Sequence, residues 1–480
     1  MALTKAHNRL VSGSTKNVVD YGATGDGSTD DTTAIQASIT STYGNEVSTG
    51  NTLNLPRGVF KTSATVEVNN SGQTYNVDNI TLKGAGRQST VIDTAAATSG
   101  PGIELVKGIF NNISDLTVLN ATTSGINIES VGNTFASNRN SFDKVQVKSS
   151  GTDGFAFERS YLGKVSGCNS EENTQNGFYH NFEIHTSWTL DNNYGRLNGT
   201  PDPSAPTFYT HAGFKSDFNV YSSYISNAAD ENRYGYHILG NRGVSFISNG
   251  AEFNARSGFY FEGSSSYEIN WLSGMGNTCG GNNKQNSGFA NHTHVKANDN
   301  VTNFVVQKQP VSFSTTVGGT YDFIATGQGA KLVLEDPLMQ NSGARAFDSG
   351  FIQTNYTAPK LIYSKAFSAS GAQTLTALDS SLGTSNDFSG EILITACNSA
   401  FGTTGSIGSA IYKLLISKTA VAGEQVVEIA KLGLVSGSSA NHPSFTFTVS
   451  SGNLVATPVG STAGNFWFAL EKVGGNFIFE

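Results

Sequence analysis

One short phrase recurs through the middle of the chain: a glycine followed by an aromatic residue. It stands at Gly154-Phe155, Gly177-Phe178, Gly213-Phe214, Gly235-Tyr236, Gly258-Phe259 and Gly288-Phe289, with an aliphatic copy at Gly125-Ile126. The aromatic copies lie 23, 36, 22, 23 and 30 residues apart. A period near 22, lengthened in places by insertions, marks a solenoid. A unit that short cannot bury its apolar face alone, so successive coils must stack and share one core.

The phrase also sets the kind of solenoid. Gly154-Phe155-Ala156-Phe157 and Gly258-Phe259-Tyr260-Phe261 alternate with period two, as strands do. Some 22 residues suit three short strands and three turns, which is one coil of a parallel β-helix. Counting from each Gly, offset +1 predicts an internal stack of Ile126, Phe155, Phe178, Phe214, Tyr236, Phe259 and Phe289. Offset +11 predicts a second inward column of Val165, Trp188, Tyr224, Phe246 and Ile269. Offset +14 predicts a turn ladder of Cys168, Asp191, Asn227 and Asn249, because Asn tolerates the left-handed backbone of tight turns.

Composition agrees with strand and turn. Charged residues make up only 14% of the 480, and 54 are Gly. A net charge of -8 argues against nucleic acid or an anionic membrane as partner. No run of 18 apolar residues is present, and the N-terminus lacks the basic-then-apolar pattern of a signal peptide. Cys168, Cys279 and Cys397 are odd in number and far apart, giving neither a disulfide framework nor a metal spacing.

Ahead of the coils, Asn17-Val18-Val19-Asp20-Tyr21-Gly22-Ala23-Thr24-Gly25-Asp26-Gly27-Ser28-Thr29-Asp30-Asp31 reads as a strand and a Gly-rich turn. A helix follows, capped by Asp30 or Asp31, with Ala34, Ile35 and Ile39 on its apolar side. Capping is favoured over a calcium loop, since the EF-hand spacing and its terminal Glu are missing. This stretch, with Leu53-Asn54-Leu55-Pro56-Arg57-Gly58-Val59-Phe60 and Ile80-Thr81-Leu82-Lys83-Gly84-Ala85-Gly86, resembles the N-terminal motif of the pectate-lyase-like β-helix superfamily, in the form found in bacteriophage tailspike proteins. With the coils the resemblance covers residues 18 to about 300. It is specific for the fold and poor for the reaction. The opening Met-Ala-Leu-Thr-Lys-Ala-His-Asn-Arg is similar to the start of short tailspikes without a large head-binding domain.

These readings give an all-β chain in three parts. Residues 1–17 form a tail or anchor. Residues 18–359 form a right-handed parallel β-helix, capped over 18–110 and regular over 111–300. Residues 360–480 carry separate amphipathic strands at 391–396, 426–429, 444–449, 465–470 and 476–479, parted by Gly/Ser turns, and read as a β-sandwich. In tailspikes such a domain serves trimerisation or carbohydrate binding. The resemblance therefore implies a homotrimer on a virion tail, attached through its N-terminus to a tail or baseplate protein, acting on a bacterial surface polysaccharide without a cofactor.

No nucleophile elbow, phosphate loop or metal-spaced His pair is present; His292 and His294 are two apart with no third ligand. Stacked acids are present. Offset +17 holds Glu171, Tyr194, Asp230 and Glu252; +18 holds Glu172, Gly195, Glu231 and Phe253; +19 holds Asn173, Arg196, Asn232 and Asn254. Equal offsets on neighbouring coils stand about 4.8 Å apart. Glycoside hydrolysis uses two carboxyls about 5 Å apart for retention or 6.5–9.5 Å for inversion. Glu171, Asp230 and Glu252 are thus the expected acid/base set, with Glu231 the nearest substitute and Tyr194 and Arg196 positioning the sugar. A competing column at +4 holds Glu129, Glu158, Asn181, Asp217 and Glu262, beside Tyr179, Lys215, His237 and Tyr260 at +2. Of these, Lys215, Asp217, His237 and Tyr260, with His211, are expected to bind substrate. His211, His237, Lys215, Arg196 and Arg233 keep open a lyase acting by β-elimination, and a non-catalytic receptor-binding spike is the third reading. Residues 198–206, with three prolines, predict a protruding loop that walls the site.

Overall fold

The computed structural model describes residues 15–42, 51–69, 79–129, 137–181, 185–202, 205–266, 268–284, 289–298, 301–313, 321–327, 329–335, 338–339, 344–348, 351–355, 361–367, 372–380, 388–398, 409–419, 423–434, 445–450, 453–459, 464–475 and 477–479. The chain divides into two compact units, residues 1–324 with 338–345, and residues 325–337 with 346–480.

The first unit is the solenoid. Three parallel sheets run along it, each receiving one strand per coil. In the central coils sheet 1 holds Lys164–Ser166, Thr189–Asp191, Ser223–Ile225 and Ser245–Ile247. Sheet 2 holds Asn169–Glu171, Tyr194–Arg196, Ala228–Asp230 and Gly250–Glu252. Sheet 3 holds Phe155–Glu158, Phe178–Asn181, Ala212–Asp217, Tyr234–Leu239 and Phe259–Gly263. A short fourth sheet sits between sheets 3 and 1, at Ser137–Asn138, Ser160–Tyr161, His185–Thr186 and Asn219–Val220. Parallel pairing continues past residue 300: Asn303–Lys308 pairs with Leu272–Met275, and Val311–Phe313 with Thr278–Gly280.

The ring stack is the core of this unit. Phe155, Phe178, Phe214, Tyr236 and Phe259 are fully buried, with successive centroids 4.9, 4.8, 4.9 and 4.6 Å apart and planes within about ten degrees. That separation is the strand spacing itself, so backbone pairing and ring contact reinforce each other. Phe289 is not in the stack. Phe259 pairs with Thr293, His292 lies against its ring at 5.5 Å, and Phe289 packs with Ala212, Tyr234 and Tyr260 instead.

The other columns form with shifted members. Val165 pairs with Leu190, not Trp188, and the column continues through Tyr224 and Phe246 to Gly274, not Ile269. Trp188 is buried but fills the space over Gly163, where an added Cβ would meet its ring. Trp271 is 74% exposed. The Asn ladder runs Asn193, Asn227, Asn249, Asn277, with Asn193 in place of Asp191. A second runs Asn173, Asn198, Asn232, Asn254, Asn282. Each side-chain oxygen accepts the backbone N–H of the Asn one coil earlier, satisfying groups that the turn would leave unpaired.

At the N-terminal end, Val18–Tyr21 is a 3₁₀ turn, not a strand, and the helix is Thr32–Thr40. Asp30 caps it by accepting the Thr32 N–H at 3.0 Å. Asp31 instead clamps the Gly-rich turn, taking the N–H groups of Thr24 at 2.7 Å and Gly25 at 3.0 Å. The residues expected to protrude as a loop form an antiparallel hairpin, Pro201–Asp202 with Ala205–Tyr209.

The second unit contains antiparallel sheets. Leu361–Phe367, Gly464–Gly475, Phe388–Asn398, Ser409–Thr419 and Gly423–Leu434 form one, in that order. Phe445–Ser450, Asn453–Pro458, Gln373–Ser380 and Phe477–Phe479 form the other. Ile392, Ile394, Leu414, Ile416 and Leu470 of the first share one core with Leu375, Phe445, Phe447, Val449 and Leu454 of the second, which makes a sandwich.

Candidate active site

Sheet 2 turns Ser170, Gly195, Ala229 and Ala251 inward, so strand alternation turns Glu171, Arg196, Asp230 and Glu252 outward. Their register is Lys148, Glu171, Arg196, Asp230, Glu252, one per coil. Arg196, not Tyr194, therefore separates Glu171 from Asp230. Tyr194 lies two residues back, in the row of Asn169 and Ala228. Likewise Leu197, not Gly195, occupies the turn position between Glu172 and Glu231, and Asn198, not Arg196, lies between Asn173 and Asn232.

Asp230 is the most constrained acid of this row. Its Oδ1 accepts the Glu252 N–H at 3.2 Å, and the Tyr194 hydroxyl is bonded to its carboxylate. Burial pushes its carboxyl above the usual range, the charges of Glu252 and Glu231 add to this, and the bonds from Tyr194 and the Glu252 N–H oppose it. Glu231 follows in the turn, with its Oε2 3.0 Å from Arg196 Nη2. Glu171 accepts Asn169 Nδ2 at 3.1 Å. The hairpin stands beside this turn: Tyr209, Glu231, Phe253 and Lys284 line a recess of about 180 Å³.

Sheet 3 presents a second polar face. Tyr179, Lys215, His237, Tyr260 and His294 succeed one another in register, with Asp217, Leu239, Glu262 and Lys296 in the next outward row. Asp217 is almost wholly buried; its Oδ2 accepts the Tyr179 hydroxyl at 2.8 Å and lies 3.5 Å from Lys215 Nζ. Its Oδ1 has no hydrogen-bond partner among the described residues. Burial and then the Asp217 charge push the Tyr179 hydroxyl far up. Lys215 also caps the Tyr179 ring at 4.7 Å. Asp153, just below, accepts both N–H groups of Asn176, and burial raises its carboxyl to about 6. His211 contacts Thr210 Oγ1 through Nδ1 at 2.8 Å; burial, then Lys215 and Arg233, lower its pKa.

Farther along sheet 3, Glu262 gathers His237 at 3.4 Å, Lys296 at 3.2 Å and Asn298 at 3.1 Å. His237, 3.4 Å away, is the main cause that holds its carboxyl down to about 2. Tyr234 stacks on Tyr260 at 4.9 Å, and Arg256 lies 4.5 Å over the Phe289 ring.

The eleven expected site residues thus divide over two faces. Glu171, Arg196, Asp230 and Glu252 share one column, with Tyr194 and Glu231 beside it. His211, Lys215, Asp217, His237 and Tyr260 belong to sheet 3 and the turn before it. His292, just before the strand Thr293–Ala297, lies against the ring stack, whereas His294, in register with Tyr260, joins the outer aromatic cluster; strand alternation does not reach back to His292. Among the described residues no group of three or more His, Cys, Asp or Glu could hold a metal. Sequence reasoning missed Asp153, Arg256 and Lys296. Asp153 had a visible signal, a carboxylate directly before the repeating Gly.

Residues 15–200 match the family described as Rhamnogalacturonase A/epimerase, pectate lyase-like. That match takes in the N-terminal motif and the first coils, less than half of the chain. The chain is a right-handed parallel β-helix whose N-terminal part is similar to that family. The enzymatically active domain of tailspike protein 2 from bacteriophage CBA120 has the same fold, with a TM-score of 0.53 at 12% identity over 96% of this chain and 76% of that one. The full-length tailspike protein 2 from an Escherichia coli O157:H7 bacteriophage gives 0.51 at 11% identity over 98% and 73%. The mannuronan C5-epimerase AlgE6 of Azotobacter vinelandii is 43% identical over 76 residues, which are 16% of this chain and 8% of that protein. The β-helix thus matches a small fraction of that curated relative's length.

Proposed function

We propose that the chain is a phage tailspike that binds a bacterial surface polysaccharide and cleaves it within the chain by glycoside hydrolysis on sheet 2. The observation that carries the reading is Asp230, a carboxyl raised by burial and by Glu252 and Glu231, in register with Glu252 on the adjacent coil. A carboxyl whose pKa is pushed up is the better candidate to protonate the leaving oxygen. One coil apart, about 4.8 Å, Glu252 suits attack on the anomeric carbon with retention. Two coils away, at roughly 9–10 Å, Glu171 suits activation of water with inversion. The tailspike context rests on the N-terminal motif and on the two solved tailspikes that share the fold. It carries with it a virion-tail location, attachment through the N-terminus and a homotrimer.

The test is turnover on capsule or O-antigen from the host. Asp230→Asn keeps the acceptor for the Glu252 N–H but loses the proton, and should cut release of reducing ends by roughly 10²–10⁴ with the melting temperature unchanged. Glu252→Gln and Glu171→Gln then identify the partner. Near-normal turnover of Asp230→Asn overturns the assignment.

A second reading rests on sheet 3. Lys215 and Arg233 gather positive charge beside His211, where a uronate carboxylate would need neutralising, and His237 stands within the same face as a candidate base. Products carrying the ultraviolet absorbance of an unsaturated uronate, lost in Lys215→Ala, would favour this elimination over hydrolysis.

A further inference from the structure

The row of left-handed turn residues between sheets 1 and 2 reads Lys144, Gly167, Asn192, Ser226, tied coil to coil by backbone bonds. The row drops to bare backbone at Gly167, and a cleft of about 420 Å³ opens there. That volume lies in the range of small-ligand sites. Asp143, Lys144, Asn169, Asn192, Tyr194 and Ser226 line it. One end is closed from a distance. Arg87, in the cap region, reaches over to bond Gly167 O at 3.0 Å and Asn169 Oδ1 at 2.8 Å through the same Nη1. An arginine anchored to coils some 80 residues downstream fixes the cleft's shape.

We propose that this cleft is a glycosyl-binding subsite, holding one pyranose ring of the glycan against Tyr194 next to Asp230. This rests on the hydrolytic reading of sheet 2. Tyr194 belongs to both places: its ring lines the cleft and its hydroxyl is bonded to the Asp230 carboxylate. A sugar seated on the ring brings its glycosidic oxygen toward that carboxyl. Asn169, Asn192 and Ser226 offer neutral donors and acceptors to ring hydroxyls, the mix of an aromatic floor and a few convergent polar groups that orients a small ligand. Asp143 and Lys144 pair with each other at 3.2 Å, so they mark the rim as an ion pair and do not present a single charge to the sugar.

The probe is the host polysaccharide, cut to oligosaccharides by mild acid, and the readout is saturation-transfer NMR on the inactive Asp230→Asn protein. Ser226→Trp places an indole in the cleft at a turn position like that which holds Trp271. Asn192→Ala removes a polar wall group with less steric demand. Both should weaken oligosaccharide binding by about tenfold or more, roughly 1.4 kcal/mol, in proteins that stay folded but melt somewhat lower, since Trp and Ala tolerate a left-handed turn position less well than Ser and Asn. In the active protein, Asn192→Ala should raise KM more than it lowers kcat, as loss of a binding contact does. Undiminished binding by both variants overturns the subsite while leaving hydrolysis on sheet 2 intact. Binding that the variants weaken, in a protein whose wild type releases no reducing ends, upholds the subsite and overturns the hydrolytic reading alone.

Discussion

Asp153 and the buried histidines titrate in opposite senses and push the pH dependence of stability in opposite directions. Burial raises Asp153 to about 6, so the native state holds its proton over a range where the unfolded chain has lost it. Its contribution is full below about 4 and is lost as pH rises through about 6. Burial lowers His292 and His294 to about 4, so their contribution runs the other way: lost as pH falls from about 6.5 through 4. Asp153→Asn keeps an oxygen for the two Asn176 donors and removes the ionisable group. It should match wild type near pH 3.5 and exceed it at pH 7 by on the order of 2–3 kcal/mol, leaving the histidine slope alone. Thermal melts of both proteins at the two pH values check this; an offset that does not change with pH refutes it. The residue scale was the least legible from sequence. Tyr179, Lys215 and Asp217 were visible as outward positions, but a buried carboxylate depends on neighbours from three coils, which no local pattern reports.

At the scale of the element, legibility followed a simple physical rule. The Gly before each aromatic is required by contact: at Gly154, Gly177 and Gly235 an added Cβ would lie under 3 Å from a Gly carbonyl of the next coil. That landmark fixes sheet 3, so the ring stack was readable. Sheets 1 and 2 follow after turns of variable length. Between Asn181 and His185 the coil has two more residues than between Glu158 and Ser160, given that Tyr161 pairs with Thr186. Every offset counted past that point in the coil slips by two, which exchanged Trp188 for Leu190, Asp191 for Asn193 and Tyr194 for Arg196. The stack itself makes a prediction. Phe214→Ala should cost about 3–5 kcal/mol, while Phe214→Leu, closer in volume, should cost much less. In a solenoid the loss is carried by the neighbouring coils. Hydrogen exchange should therefore quicken around Phe178 and Tyr236 and stay slow around Val91 and Ile113. Uniform acceleration would show that the unit melts as one. The ladder predicts likewise: Asn232→Ala leaves the buried Asn198 N–H without its acceptor and should cost about 1–3 kcal/mol.

At the scale of the whole molecule, one edge of the solenoid is unfinished. Between the fourth sheet and sheet 1 the left-handed turn positions read Phe110, Arg139, Leu162, Ser187, Tyr221, Gly243 and Trp271, joined coil to coil by backbone bonds. Phe110, Leu162, Tyr221 and Trp271 are all exposed, the last two by 73% and 74%. A left-handed backbone is costly for an aromatic residue, and Gly or Asn would satisfy the turn at less cost. Large apolar side chains at every second position of that row leave an apolar edge that a lone solenoid keeps in water. Three copies about a common axis would bury it and close the assembly, which is the homotrimer we propose. Light scattering should then give three times the mass of one chain. Tyr221→Arg combined with Trp271→Arg should shift that mass toward one chain, because three like charges per position would meet at the axis. The coil fold should survive, since both side chains point to solvent in the single chain. A wild type of monomeric mass overturns the trimer. A trimer that tolerates both arginines moves the contact off this edge, to the C-terminal strands or elsewhere, and leaves the exposed rings to be explained by something other than assembly.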